Sequence, residues 1–253
     1  MMENTRIDEN LLKAKDAEIR ILATQNINLT RNMINSCLND PNESVRVSIV
    51  KHPKITKTQL IKAANDPSYR VRRAVIKSPK ISQDIIEILI NDNDYRVLAA
   101  LAESSLLTSE QIDSLINSSY NQVRENCAKN SLLTQTQIEI LLRDRYHMVR
   151  ANVIDYQETT VEQLESLIDD PSYVVRMSVL NDPNVTVEIA EKMMDDMNQE
   201  VKELATKVLR QLLQSDYVAS NQIEEKQEET VEEHVYTVEP VKQKTGFFAW
   251  LFK

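Results

Sequence analysis

Valine or isoleucine recurs at Ile19, Val45, Val71, Val97, Val123, Val149, Val175 and Val201, each step being 26 residues with no insertion. The next position is basic at Arg20, Arg46, Arg72, Arg124, Arg150, Arg176 and Lys202, with Leu98 the exception. Eleven residues after each of the first seven stands a hydroxyl residue, Thr30, Thr56, Ser82, Thr108, Thr134, Thr160 or Thr186, and four of these are followed three residues on by Gln59, Gln111, Gln137 or Gln163. That is the capping-box spacing, in which hydroxyl and amide satisfy the free N–H groups of a helix start. The apolar residues that follow, Leu60/Ala63/Ala64 and Ile86/Leu89/Ile90, have the i, i+3, i+4 spacing of one helix face.

These helices stop at Asp40-Pro41, Asp66-Pro67 and Asp170-Pro171, because proline disfavours helical backbone at the residue before it. A second short helix is predicted around each Val-Arg pair, with Val45/Ile49 and Val71/Val75 on its apolar face, and it stops near Pro53, Pro79 and Pro183. Neither helix can bury its apolar face alone, so the repeats must stack. The N-terminus keeps the register: Asn4 falls at a cap position, Leu11/Leu12 fall where Ala63/Ala64 do, and residues 1–18 read as a half-repeat cap. Residues 19–214 are the repeat array, closing on a longer helix from about Val201 to Leu213.

Units such as VRRAVIKSPKISQDIIEILINDN and VRVSIVKHPKITKTQLIKAANDP resemble the variant leucine-rich repeat, a bacterial α-solenoid family akin to HEAT repeats. The resemblance covers about residues 4–213. It implies an α-helix alternating with a shorter helix, often 3₁₀, in a right-handed superhelix. The fold expected is therefore all-α, a right-handed α-solenoid of about eight 26-residue two-helix repeats with a disordered C-terminal tail. Some relatives carry a cysteine-ligated iron–sulfur module. Here Cys37 and Cys127 fall at helical core positions in different repeats, so no cluster is carried over, and the family has no shared catalytic residues to transfer.

Composition narrows the chemistry. The one glycine, Gly246, leaves no phosphate-cradling loop, dinucleotide fingerprint or nucleophile elbow. Two cysteines are too few for a disulfide framework, and His52, His147 and His234 stand apart with no zinc-ligand spacing. His52 and His147 read as loop residues. No enzyme, metal or cofactor is expected. MMENTRIDEN carries no apolar signal core, and no stretch approaches the ~20 apolar residues of a membrane span, so a cytoplasmic location is expected.

The net charge is −9, but it is unevenly spread. From Val45 to Lys80 ten basic residues meet only Asp66, a net +9, while residues 151–212 carry −8. Arg46, Arg72, Arg124, Arg150 and Arg176 each lie six residues after Asp40, Asp66, Ser118, Asp144 and Asp170, which points to arginines bridging the acidic row within or between repeats. The candidate docking cations are Lys51, Lys54, Lys57, Arg70, Arg73, Lys77 and Lys80, facing an acidic protein or, as an alternative, nucleic acid. Tyr69, Tyr95, Tyr120, Tyr146 and Tyr173 recur in the segment leading into the Val-Arg helix and serve either as lids over inter-repeat grooves or as a binding ridge. Residues 215–244 read as an acidic disordered linker. Residues 245–253 hold all three phenylalanines and the one tryptophan, so Phe247, Phe248, Trp250, Leu251 and Phe252 are a candidate tip for a partner groove or peripheral membrane contact. The function expected is a protein-binding scaffold with a tethered apolar tip.

Overall fold

The structure, a computed structural model, describes residues 10–215. A 3₁₀ turn, Leu11–Lys13, leads into α1 (Ala17–Ala23), α2 (Arg31–Cys37), α3 (Glu43–Val50), α4 (Lys57–Ala64), α5 (Tyr69–Ile76), α6 (Gln83–Leu89) and α7 (Tyr95–Leu101). There follow α8 (Ser109–Ile116), α9 (Asn121–Cys127), α10 (Gln135–Leu142), α11 (His147–Tyr156), α12 (Val161–Glu165), α13 (Tyr173–Asn181) and α14 (Val187–Met193), and residues 199–215 are helical. No strand occurs among the described residues. The chain divides into two compact units, one ending at Asn184 and one beginning at Val185.

The first unit is a two-row stack. Odd-numbered helices, built on the Val-Arg segments, pack directly on one another from α1 to α13, and each even-numbered helix from α2 to α10 lies against the odd helix that follows it. Both rows are α-helical, so the alternation with a 3₁₀ helix implied by the resemblance is absent from the described repeats. Val45, Val71, Val97, Val123, Val149 and Val175 are fully buried between repeats. Ile19 is 40% exposed and Leu11 47% exposed, although both stand in register with core positions. The sequence register alone does not supply the packing neighbours that burial needs.

Asn4 lies outside the described residues; every predicted cap residue within them begins its helix. Thr30, Thr56, Thr108, Thr134, Thr160 and Thr186 accept the N3 backbone N–H, and Gln59, Gln111, Gln137 and Gln163 complete capping boxes. Two of these glutamines also tie repeats together. Buried Gln59 donates to Asn35 Oδ1 at 2.7 Å, and Gln137 donates to Asp113 Oδ1 at 2.7 Å. Ser82 differs: it makes no side-chain cap bond, and its buried Oγ has no partner.

The arginine row bridges between repeats. Arg46 Nε and Nη2 donate to both carboxylate oxygens of Asp66, 20 residues ahead, at 2.8 and 3.0 Å, while Nη1 donates to the backbone carbonyl of Asp40 at 2.8 Å. The same fork joins Arg20–Asp40, Arg72–Asp92, Arg124–Asp144 and Arg150–Asp170. The carboxylate also accepts the N–H two residues on, as Asp66 does from Ser68, so it fixes the turn and receives the fork at once. Burial pushes the Asp40 carboxyl upward, but its bonds from Arg20 and the Asn42 N–H outweigh this and hold it below the ordinary aspartate value.

The one gap in the row is matched. Leu98 replaces the arginine, and Ser118, 20 residues ahead, replaces its aspartate. An aspartate left without its arginine would be a partly buried, unpaired charge, so loss of both is far less costly than loss of one. The junction is closed instead by a Tyr95–Tyr120 stack at 5.2 Å and by Asn126 Nδ2 donating to the Ala99 carbonyl at 2.8 Å.

Two stability outcomes are expected. Thr56→Ala, Thr108→Ala and Thr134→Ala should each cost about 1 kcal/mol by urea midpoint, whereas Ser82→Ala, which removes no cap bond, should change little; equal costs at all four sites would contradict the capping geometry. Arg72→Leu alone, stranding Asp92, should cost about 2 kcal/mol, and adding Asp92→Ser should recover most of it by copying Leu98/Ser118. A double variant as unstable as the sum of its parts would refute the paired-loss argument.

Candidate functional site

Helices of the odd row run parallel, so their starts line one edge and their ends the other. The two sets of candidate residues separate along this axis. Tyr69, Tyr95 and Tyr173 are the first residues of α5, α7 and α13, and Tyr120 and Tyr146 cap α9 and α11. They thus occupy two adjacent registers at the helix starts, not one place in a loop. Lys51 and Lys77 cap the ends of α3 and α5, and Lys54 and Lys80 lie in the turns beyond. The eight residues of α5 separate the two edges by about 12 Å, with Arg70 and Arg73 on the helix between them.

The tyrosine edge is internally bonded. The Arg96 guanidinium lies 3.4 Å from the Tyr69 ring centroid and forks onto Asp94. Arg70 donates to Glu43 at 3.0 Å and to the Tyr69 hydroxyl at 3.4 Å. The Arg70 bond, then the positive charges of Arg96 and Arg70, hold the Tyr69 phenol below its ordinary value. Bonds from Ser68 and then Arg70 do the same for Glu43, and the Arg96 fork for Asp94. Tyr146 packs on His147, which is the first residue of α11 and not a loop residue. Tyr173 is exposed.

The cations divide by what they already hold. Arg46 and Arg72 are engaged in the inter-repeat forks. Lys57, on the even row, pairs with Asp84, and Lys62 donates to Asn39. Lys80 donates once, to the Ile55 carbonyl at 2.8 Å. Lys51, Lys54, Arg73 and Lys77 are exposed and make no side-chain bond among the described residues. Beside Lys51, a groove of about 590 Å³ crosses α1, α3 and α5, walled by Val47 and Pro53, with the Thr24–Ser48 hydroxyl pair at 2.5 Å and Arg70 at its rim.

His52 is buried at this edge and acts structurally. Its Nδ1 accepts from the Lys54 N–H at 3.1 Å, so Nε2 carries the proton and donates to the Asn26 carbonyl at 3.0 Å. Asn130 does both jobs in its own repeat, accepting from the Leu132 N–H at 2.9 Å and donating to the Ala102 carbonyl at 2.7 Å. Both cysteines are free and buried, and burial pushes the thiol of Cys37 up to about 11 and that of Cys127 up to about 12, which suppresses thiolate chemistry at neutral pH. No group of metal-ligating side chains stands together among the described residues, and no described helix is long and apolar enough to cross a membrane.

The sequence reading missed Leu106 and Leu132, exposed by 47% and 41% in the turns equivalent to those of Lys54 and Lys80. The 26-residue register identifies them. Phe247, Phe248, Trp250, Leu251 and Phe252 lie outside the described residues.

No protein-family model matches the chain, and no curated protein sequence does. In structure the chain is similar to a leucine-rich repeat variant with a repetitive structural motif, at a TM-score of 0.63 and 20% identity over 79% of each chain. A designed armadillo repeat protein, matched over 80% of this chain and 97% of its own at 17% identity, has a TM-score of only 0.28. With its 26-residue step, capped helices and Asp-Pro stops, the chain has the α-solenoid fold of the leucine-rich repeat variant.

Proposed function

We propose that this protein is a non-enzymatic scaffold whose odd-row surface in the α3–α5 region holds an acidic segment of a partner protein. The observation that carries this reading is the set of exposed, unbonded cations Lys51, Lys54, Arg73 and Lys77, in a stretch where the remaining cations are engaged. Lys51 and Lys77 stand at the same position in successive repeats, Lys54 lies in the turn beyond Lys51, and Arg73 is on α5 just before Lys77, so their fields add, and clustered charge of one sign steers an oppositely charged partner. The alternative is nucleic acid, whose phosphates the same cations would meet.

One experiment separates the two. Wild type should bind a labelled glutamate-rich peptide more tightly than a single-stranded oligonucleotide of equal charge. The fourfold variant Lys51→Glu, Lys54→Glu, Lys77→Glu, Lys80→Glu should lose the peptide while its melting temperature stays close to wild type, since all four residues are exposed and only Lys80 gives up a bond, the one to the Ile55 carbonyl. Tighter oligonucleotide binding with a steep salt dependence would transfer the site to nucleic acid. Unchanged peptide affinity in the variant would reduce the cations to a solvated face.

The aromatic tip supports a second attachment. Its apolar side chains, flanked by Lys242, Lys244 and Lys253, suit weak and reversible contact with a membrane or with a membrane-bound partner. Deleting residues 246–253 should abolish co-sedimentation with anionic lipid vesicles. Equal sedimentation of both forms would leave the tip as a docking peptide for a soluble partner.

A further inference from the structure

The turns that follow α3, α5, α7 and α9 present one side chain each in the same setting. In each, the backbone N–H of the presented residue is held by the side chain two positions earlier: Lys54 by His52 at 3.1 Å, Lys80 by Ser78 at 3.4 Å, Leu106 by Ser104 at 3.3 Å and Leu132 by Asn130 at 2.9 Å. The four residues are therefore equivalent points on four consecutive repeats, all of them exposed, with Lys80 spending one of its three donors on the Ile55 carbonyl. Along that line the chemistry changes once, from two lysines to two leucines.

The surroundings change at the same place. Lys51 and Lys77 stand behind the first two points, and the equivalent position in the next repeat is Glu103. In the repeat after that it is Lys129, which is turned onto the Tyr156 ring at 5.5 Å. The positive edge thus ends where the exposed leucines begin. A uniformly anionic chain, a nucleic acid included, would meet Glu103 and two apolar side chains if it continued along the row.

The spacing of the points constrains what can follow them. Neighbouring helices in contact lie about 8–10 Å apart. A polyproline-type extended chain makes one turn of three residues in about 9 Å, so it returns a side chain to the same side about once per repeat. A β-strand, whose side chains alternate with a period of two residues, cannot keep that phase over four repeats.

We propose that this edge takes an extended segment of a partner protein that offers one side chain per repeat at every third residue, acidic opposite Lys54 and Lys80 and apolar opposite Leu106 and Leu132. The proposal rests on the acidic-partner reading above and adds to it a motif, acid-x-x-acid-x-x-apolar-x-x-apolar, read in either chain direction. Leu106 and Leu132 supply the apolar contact, while the lysines fix the register along the edge.

The test uses the full chain and labelled synthetic peptides in fluorescence anisotropy. The first peptide carries Glu at positions 1 and 4 and Leu at 7 and 10, in a proline- and serine-rich background, and is made in both orders. The second has the same composition with the four residues spaced by two. The third replaces both leucines with serine. In at least one order, the three-spaced peptide should bind roughly tenfold more tightly than the other two, a modest share of what burying two leucines supplies. The variant Leu106→Ser with Leu132→Ser should erase that advantage while binding the serine peptide as wild type does, which also shows that it is folded. Equal affinity for the two spacings, or an advantage that survives the leucine replacements, overturns the motif and leaves the acidic-partner reading standing. Failure of every glutamate peptide to bind wild type overturns that reading as well.

Discussion

The fork from Arg20, Arg46, Arg72, Arg124 and Arg150 to the aspartate 20 residues ahead is the constraint on which the stack depends. It is bidentate, so it fixes an angle as well as a distance. Its aspartate also closes the turn before the next odd helix, and the third arginine nitrogen holds the carbonyl of the turn before its own helix. One side chain therefore sets the relation between two consecutive turns. An inserted residue anywhere between the arginine and its aspartate would carry the carboxylate out of reach. The unbroken 26-residue step is what such a geometry demands.

The same constraint separates structural charge from available charge. The +9 of residues 45–80 suggests a broad basic surface. Once Arg46 and Arg72 are assigned to the forks and Lys57 to Asp84, the unbonded remainder is Arg73 on α5 and the lysines at the ends of α3 and α5. Arg70 and Arg96 look equally basic in the sequence, yet their charge is answered by Glu43 and Asp94 and both guanidiniums lie beside the Tyr69 ring. A count of lysines and arginines overstates the site about as much as it overstates the charge.

Much of the fold was legible because local and global signals agree. Each threonine named as a cap is one, and each capping-box glutamine closes its box. The direction of the forks was not legible, for an arithmetical reason: with a period of 26, an aspartate six residues behind one arginine is also 20 residues ahead of the previous one. Only the side-chain reach in three dimensions chooses between them. Ser82 fits the cap pattern yet makes no cap bond, and its buried Oγ has no partner. The exposure of Ile19 was hidden because periodicity reports register and not the presence of a neighbour. Leu106 and Leu132 were overlooked because an apolar residue in an apolar repeat is read as core, although their register is that of two lysines.

That last error shows where specificity can reside in a chain of this kind. Residues that recur in every repeat are answerable to stacking, and they carry no information that distinguishes one repeat from the next. Departures from the register do. When a departure falls on a partly buried position it must be repaired close by, as Leu98 is by Ser118, since an unmatched charge would destabilise the junction. When it falls on an exposed position no repair is required, and the side chain can change without cost to the stack. The turn positions from Lys54 to Leu132 are of the second kind. Their backbone is held by His52, Ser78, Ser104 and Asn130, four different residues making the same bond, while the side chain they present switches from cation to leucine. A fixed backbone with a free choice of side chain at each step is the arrangement a recognition surface requires. The solenoid supplies it at the ends of its odd helices, where a side chain two positions earlier holds each turn.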